Sequence, residues 1–201
     1  MLLLFFVELL LMVLLYPSNL ISASTQTERA WVYRDLGPRS HDWIVTEANN
    51  RYQALVIDTG WLDSLSSYLT PKNIPNDNNG GFSRYNLWFE YVDARIKALS
   101  ELLYFVLFRW CHLLLWLPIW LLLIVPAAHD GYLTWKIKQS AFKAASPTLH
   151  RLTFGLLKWG LLLLPIVFLI PLPFPPMGFP AALMLAAVLI GVSLSNLPKK
   201  I

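Results

Sequence analysis

Four apolar runs break an otherwise mixed sequence. MLLLFFVELLLMVLLY (1–16) opens the chain, Leu102–Val125 follows a long polar stretch, and runs at 152–172 and 179–197 close it. A hydrocarbon core of about 30 Å takes roughly 20 apolar residues as a helix. The last three runs therefore read as membrane spans and the first as a short one. PLPFPPMGFP (171–180) separates the final pair. Its prolines cannot continue a helix, so the two runs read as a helical hairpin.

Between the first and second runs the pattern turns helical and polar. RSHDWIVTEANNRYQALVIDTGWLDSLSSYL (39–69) is compatible with helix, with Trp43, Tyr52, Leu55, Val56 and Trp61 available for burial. TPKNIPNDNNGG (70–81) is dense in Pro, Asn and Gly and reads as a loop. Beyond it, Trp88, Tyr91, Val92, Arg95, Ile96 and Leu99 recur at helical spacing with no breaker before the second run. One helix is expected over 85–125, bent near Pro118. After the second run, Asp130 reads as an N-cap for a new helix from Gly131. Leu133, Ile137, Ala141, Ala144 and Ala145 fall on one face of that helix, opposite Lys136, Gln139, Ser140 and Lys143, with Lys138 at the edge. This is the pattern of an interfacial amphipathic helix. Ser146-Pro147 then supplies a cap and a first-turn proline for the third span.

The expected fold is an all-α membrane protein of about four transmembrane helices with a helical external segment between spans one and two. Its parts are an anchor (1–16), the external segment (17–98) and a three-span domain (99–201) carrying a basic cytoplasmic helix at 131–145. Small residues in LISASTQ (20–26) resemble a signal-peptidase site, but no basic stretch precedes the apolar run, so a retained anchor is favoured.

Charge orients the spans. Lys136, Lys138, Lys143 and Arg151 face the single acid Asp130 in the 126–151 connection, and Lys199 and Lys200 stand in the C-terminal tail. The positive-inside rule places both regions in the cytoplasm, giving an N-in, C-in multi-pass membrane protein. Composition agrees: 56% of the 201 residues are hydrophobic, 14% are charged and mean hydropathy is +0.51. Soluble domains carry about 25% charged residues. A pI near 9.2 raises nucleic acid as a ligand. The basic residues do not gather in a patch interleaved with aromatics, so no direct nucleic-acid binding is expected.

Candidate chemistry is sparse. The lone Cys111 forbids an intrachain disulfide, and no CxxC, HExxH, GxSxG or P-loop pattern occurs. No cofactor, metal or catalytic residue is expected, and the chain does not read as an enzyme. His41-Asp42 and His129-Asp130 are dipeptides of phosphohydrolase type, but His112 and His150 are the sole remaining histidines. Charges inside a span are costly and mark function by default. Glu8 and Arg109 could pair, and His112 shares the Arg109 face. Asp130, Gly131, Lys136, Lys138 and Lys143 are candidate contacts to lipid headgroups or a partner. Ala187, Gly191 and Ser195 form a small-residue stripe for close helix packing, within the chain or in a homo-oligomer.

Residues 99–158 carry a specific order of features: Arg109 in a span, Leu117-Pro118, Asp130-Gly131, Lys136 and Lys138, Ser146-Pro147, then His150. In this order the chain resembles the membrane proteins of integrating conjugative elements and conjugative plasmids. One departure is visible: Thr134-Trp135-Lys136 stands where the family places an arginine after Asp-Gly. The resemblance implies an inner-membrane accessory protein or adaptor of conjugative DNA transfer by type IV secretion. Its implied partners are the coupling ATPase and other transfer proteins. The rival reading is a small transporter or pore using Glu8, Arg109 and His112.

Overall fold

A computed structural model of the chain describes residues 2–69, 83–141 and 146–198, without the side chains of residues 2–6, 8, 10 and 83–87. Among the described residues every regular element is helical. They are α1 (Leu2–Leu15), α2 (Ser18–Tyr52), α3 (Trp61–Leu69), α4 (Ser83–Ser140), α5 (Pro147–Leu169) and α6 (Gly178–Ser195), with a π-helical turn at Gln53–Ile57 joining α2 towards α3. The loop expected at 70–81 lies outside the described residues.

Local chemistry explains the breaks. Pro17 has no amide hydrogen and sits extended at φ −72°, ψ 149°, so α1 cannot run into α2. Within α2, Gly37 adopts φ 81°, which favours glycine, and Pro38 follows. The helix therefore kinks there. In α5, Pro147 takes the first position and Ser146 Oγ accepts the Leu149 N–H at 3.4 Å.

Among the described residues, three helices are long and apolar enough to cross a membrane: Trp88–Ser140, Pro147–Leu169 and Gly178–Ser195. At about 1.5 Å per residue, the 58 residues of α4 have a contour of roughly 87 Å, far more than one bilayer core needs. The separate helix expected from Gly131 is corrected here: α4 continues through Pro118, Pro126, Asp130 and Gly131 to Ser140. Asp130 is thus a mid-helix residue and caps nothing.

The chain divides into two compact units, the first comprising 1–112 and 168–174, the second 113–167 and 175–201. In the first, Ile21, Ala98, Leu102, Phe105 and Leu169 form a buried cluster, against which Leu9, Met12, Val13, Tyr16 and Val106 pack. On α2 the buried stripe is Ile21, Ser24, Thr25, Glu28 and Val32, then Ile44 and Ala48 beyond the kink. The core differs from the one expected: Trp43, Leu55 and Trp61 are exposed, and of the residues assigned to that core Val56 is buried. In the second unit α4 and α6 cross closely. A Cβ on Gly131 would lie 2.5 Å from Gly191 O, and one on Gly191 would lie 3.1 Å from Ala127 O. That approach, rather than a turn, is why glycine stands at 131. Large apolar side chains on the outer faces remain exposed, including Leu122, Trp159, Leu161, Leu185 and Val188.

Candidate functional site

Arg109 is the largest fully buried side chain among the described residues, and the polar centre of the first unit is built around it. Helical spacing puts it on the α4 face that also carries Phe105, Phe108 and His112, all buried. Its guanidinium lies 4.0 Å from the centre of the Phe105 ring, a geometry that favours a cation. Nε donates to Glu28 Oε1 at 3.0 Å and Oε2 at 3.2 Å, and Nη2 donates to Glu28 Oε1. Both side chains are 2% exposed.

The connector after α5 completes the centre. Prolines at 171, 173, 175 and 176 prevent further helix, so carbonyls at the end of α5 and just beyond lose their helical donors. Arg109 supplies the replacement. Nη1 donates to Phe168 O at 3.4 Å and Ile170 O at 3.0 Å, and Nη2 also donates to Leu172 O. Ser24 Oγ donates to Pro171 O at 2.6 Å, and the Phe174 N–H donates to Glu28 Oε1 at 2.8 Å. Every N–H of the guanidinium fork thus has an acceptor. Burial pushes the Glu28 carboxyl above its ordinary range, opposed by the Arg109 hydrogen bonds and charge and by the Phe174 amide. Chemically this is a clamp: one cation holds the Glu28 carboxylate of α2 and a helix-free connector in register.

Glu28 is the residue that sequence reasoning missed. It sits in a helix of low hydrophobicity, 81 positions from its partner. The available signal was its alignment with Ile21, Ser24, Thr25 and Val32 at helical spacing. Glu8 lies in α1, and its side chain falls outside the described residues. His112 is buried one turn from Arg109.

The second unit gathers the remaining candidates around the end of α6. Lys138 Nζ donates to Ser195 O at 3.0 Å and Asn196 Oδ1 at 3.1 Å, while Trp135 Nε1 donates to Leu197 O at 3.2 Å. A cation there offsets the helix dipole and caps free carbonyls. Asn196 Oδ1 also accepts the Ser146 N–H at 3.3 Å, and His150 Nδ1 is 3.0 Å from Ser193 O. Lys138, read as a candidate contact at the edge of the basic face, is thus tied to the end of α6. Lys136, His129 and Asp130 are exposed, Gly131 and Ala187 are buried, and Lys143 lies outside the described residues. His41 Nδ1 and Asp42 Oδ1 are 3.0 Å apart at the surface. Among the described residues no group of three His, Cys, Asp or Glu side chains is placed to hold a metal ion.

Against known proteins, the family model described as "IncC plasmid conjugative DNA transfer protein DtrJ-like" matches residues 17–200. No curated protein and no solved structure matches.

Proposed function

Because the chain belongs to the DtrJ-like family of conjugative DNA transfer proteins, we propose that it is an inner-membrane adaptor of the transfer apparatus, acting beside the coupling ATPase of a type IV secretion system. The observation that carries the adaptor reading over a transporter is the closed state of the buried polar centre. Arg109, the charge a conduction path would use, is bound to Glu28 and to three carbonyls at the end of α5 and in the connector. A proton or ion relay needs groups that exchange partners. This one is committed to structure, and no catalytic role is assigned to any residue.

The proposed topology has four spans, N-in and C-in, with 17–98 outside. Two sets of hydrogen bonds support it. In the first unit the connector after α5 is bonded to α2, consistent with both lying on the outer side. In the second unit the end of α4 is bonded to the end of α6, consistent with both lying inside. At 14 residues and roughly 21 Å, α1 is short for a span, so the bilayer must thin or flanking residues must adjust around it. The small residues at 20–26 lie inside α2 with Ile21, Ser24 and Thr25 buried, which favours retention of α1 over cleavage.

Reporter fusions after Lys143 and Ile201 should report cytoplasm, and one after Lys72 periplasm. Deleting the gene should abolish transfer, and a photocrosslinker at position 136 of the complementing full-length chain should capture the coupling ATPase. Normal transfer by the deletion strain, or capture of other copies of this chain alone, would overturn the adaptor reading. Ion flux in proteoliposomes would establish its rival.

A further inference from the structure

A second polar feature of the first unit has no part in the Arg109 clamp. It is an open cleft of about 310 Å³ whose lining includes Gln26 and Arg29 of α2, Tyr52, and Ser100, Glu101 and Tyr104 of α4. That volume is at the lower limit of small-ligand pockets. Its walls are braced. Tyr52 Oη and Ser100 Oγ are 2.5 Å apart, the Tyr52 and Tyr104 rings meet edge to face at 5.6 Å, and Tyr104 Oη donates to Asn49 Oδ1 at 2.9 Å.

The cleft holds opposite charges that do not neutralise each other. Arg29 Nη2 donates to Tyr104 Oη, and the guanidinium stands 5.0 Å over the Tyr104 ring. Arg29 Nε and Glu101 Oε2 are nevertheless buried without a hydrogen-bond partner among the described residues. No ion pair joins Arg29 to Glu101, although both line the same space. A buried charge with unmet hydrogen bonds is costly, and a side-chain rotation that turned both groups into the cleft, toward a ligand carrying both an anion and a hydrogen-bonding cation, would remove the cost at both ends. Depth narrows the ligand class. Glu101 directly precedes the apolar run that starts at Leu102, and Tyr104 lies within its first turn. This is headgroup level, where tyrosine concentrates.

We propose that the cleft binds the headgroup of a zwitterionic phospholipid whose cation is a primary ammonium, with the phosphate at Arg29 and the ammonium at Glu101. A phosphatidylglycerol headgroup offers Glu101 neutral hydroxyls but no cation to pair with its charge. The quaternary ammonium of phosphatidylcholine has no N–H to donate to it. The placement at headgroup depth rests on the membrane reading above, which the reporter fusions test independently of lipid binding.

The test is native mass spectrometry of the full chain in mild detergent, with phosphatidylethanolamine, phosphatidylglycerol and phosphatidylcholine of matched acyl chains. Phosphatidylethanolamine should be retained about tenfold more tightly than either of the others. Glu101→Gln should erase its advantage over phosphatidylcholine. Gln26→Trp, a change at an exposed position that fills the cleft, should block retention while leaving the melting temperature unchanged. Soluble phosphoethanolamine separates the sources: competition with the lipid supports headgroup recognition, and binding of the soluble molecule with no lipid retained overturns the lipid assignment. Equal retention of all three lipids, or full retention by a folded Gln26→Trp variant, would also overturn the proposal.

Discussion

Removing the carboxylate of Glu28 isolates the buried charge of Arg109, and the cost follows from the hydrogen bonds that carboxylate accepts. Glu28→Ala deletes the acceptor for Nε and for one N–H of Nη2, and it removes the carboxylate that accepts the Phe174 N–H. Breaking a buried ion pair by deleting one member costs about 3–5 kcal/mol. The carbonyls of Phe168, Ile170 and Leu172 still bind the guanidinium, which sets the expected loss near the lower figure. About 3 kcal/mol is a factor of roughly 150 in the folding equilibrium. Arg109→Gln should cost a comparable amount, because the carboxylate loses its counter-ion and the carbonyls of Phe168, Ile170 and Leu172 lose the guanidinium. With both changes combined, Glu28→Ala and Arg109→Gln, no isolated charge remains, so the double variant should cost clearly less than the sum of the singles. The assay is thermal and denaturant unfolding in one detergent, followed by tryptophan fluorescence. Strict additivity, or a Glu28→Ala loss within about 0.5 kcal/mol of zero, would refute the clamp.

Other outcomes follow from the second unit. Gly131→Ala places a methyl 2.5 Å from the Gly191 carbonyl, a backbone atom that cannot swing away, and should cost about 1–3 kcal/mol in the same assay. Gly155→Ala and Gly160→Ala meet nothing within 4 Å and should be neutral or slightly stabilising through helix propensity. Lys136→Glu should reduce DNA transfer and crosslinking without changing the melting temperature, since Lys136 is exposed. Lys138→Glu should lower thermal stability by about 1 kcal/mol through loss of the α6 cap. His129→Ala should leave transfer intact; abolished transfer would give the His129-Asp130 dipeptide a chemical role.

What the sequence made legible was whatever neighbouring residues decide. The start of α5 was readable because Ser146 and Pro147 act on the turn beside them. The connector after α5 was readable from its prolines, and membership of a conjugative-transfer family from the ordered features of 99–158. Asp130-Gly131 misled for the opposite reason. Locally it has turn chemistry, but the glycine answers to the α6 backbone some sixty positions later, and that packing keeps α4 helical. Glu28 was hidden in the same way. Its buried stripe mixes Ser, Thr and Glu with Ile and Val, so hydrophobic periodicity is weak where the helix is buried. Trp43 and Trp61, large and apolar, attracted a core assignment that the smaller Ile44 and Ala48 fill instead.

The spacing of the Arg109 partners also sets an order of assembly during synthesis. Glu28 leaves the ribosome 81 residues ahead of Arg109, whereas Phe168, Ile170 and Leu172 follow it by 59, 61 and 63. Chains fold from the N-terminus as they emerge, at about 5–20 residues per second. An arginine in the second apolar run therefore reaches the insertion machinery with its counter-ion already made but its carbonyl cradle several seconds away. The paired α2–α4 intermediate is the species that must survive that interval. A nascent chain stalled before residue 168 should hold α4 in the membrane when Glu28 is present and release it more readily when Glu28 is replaced.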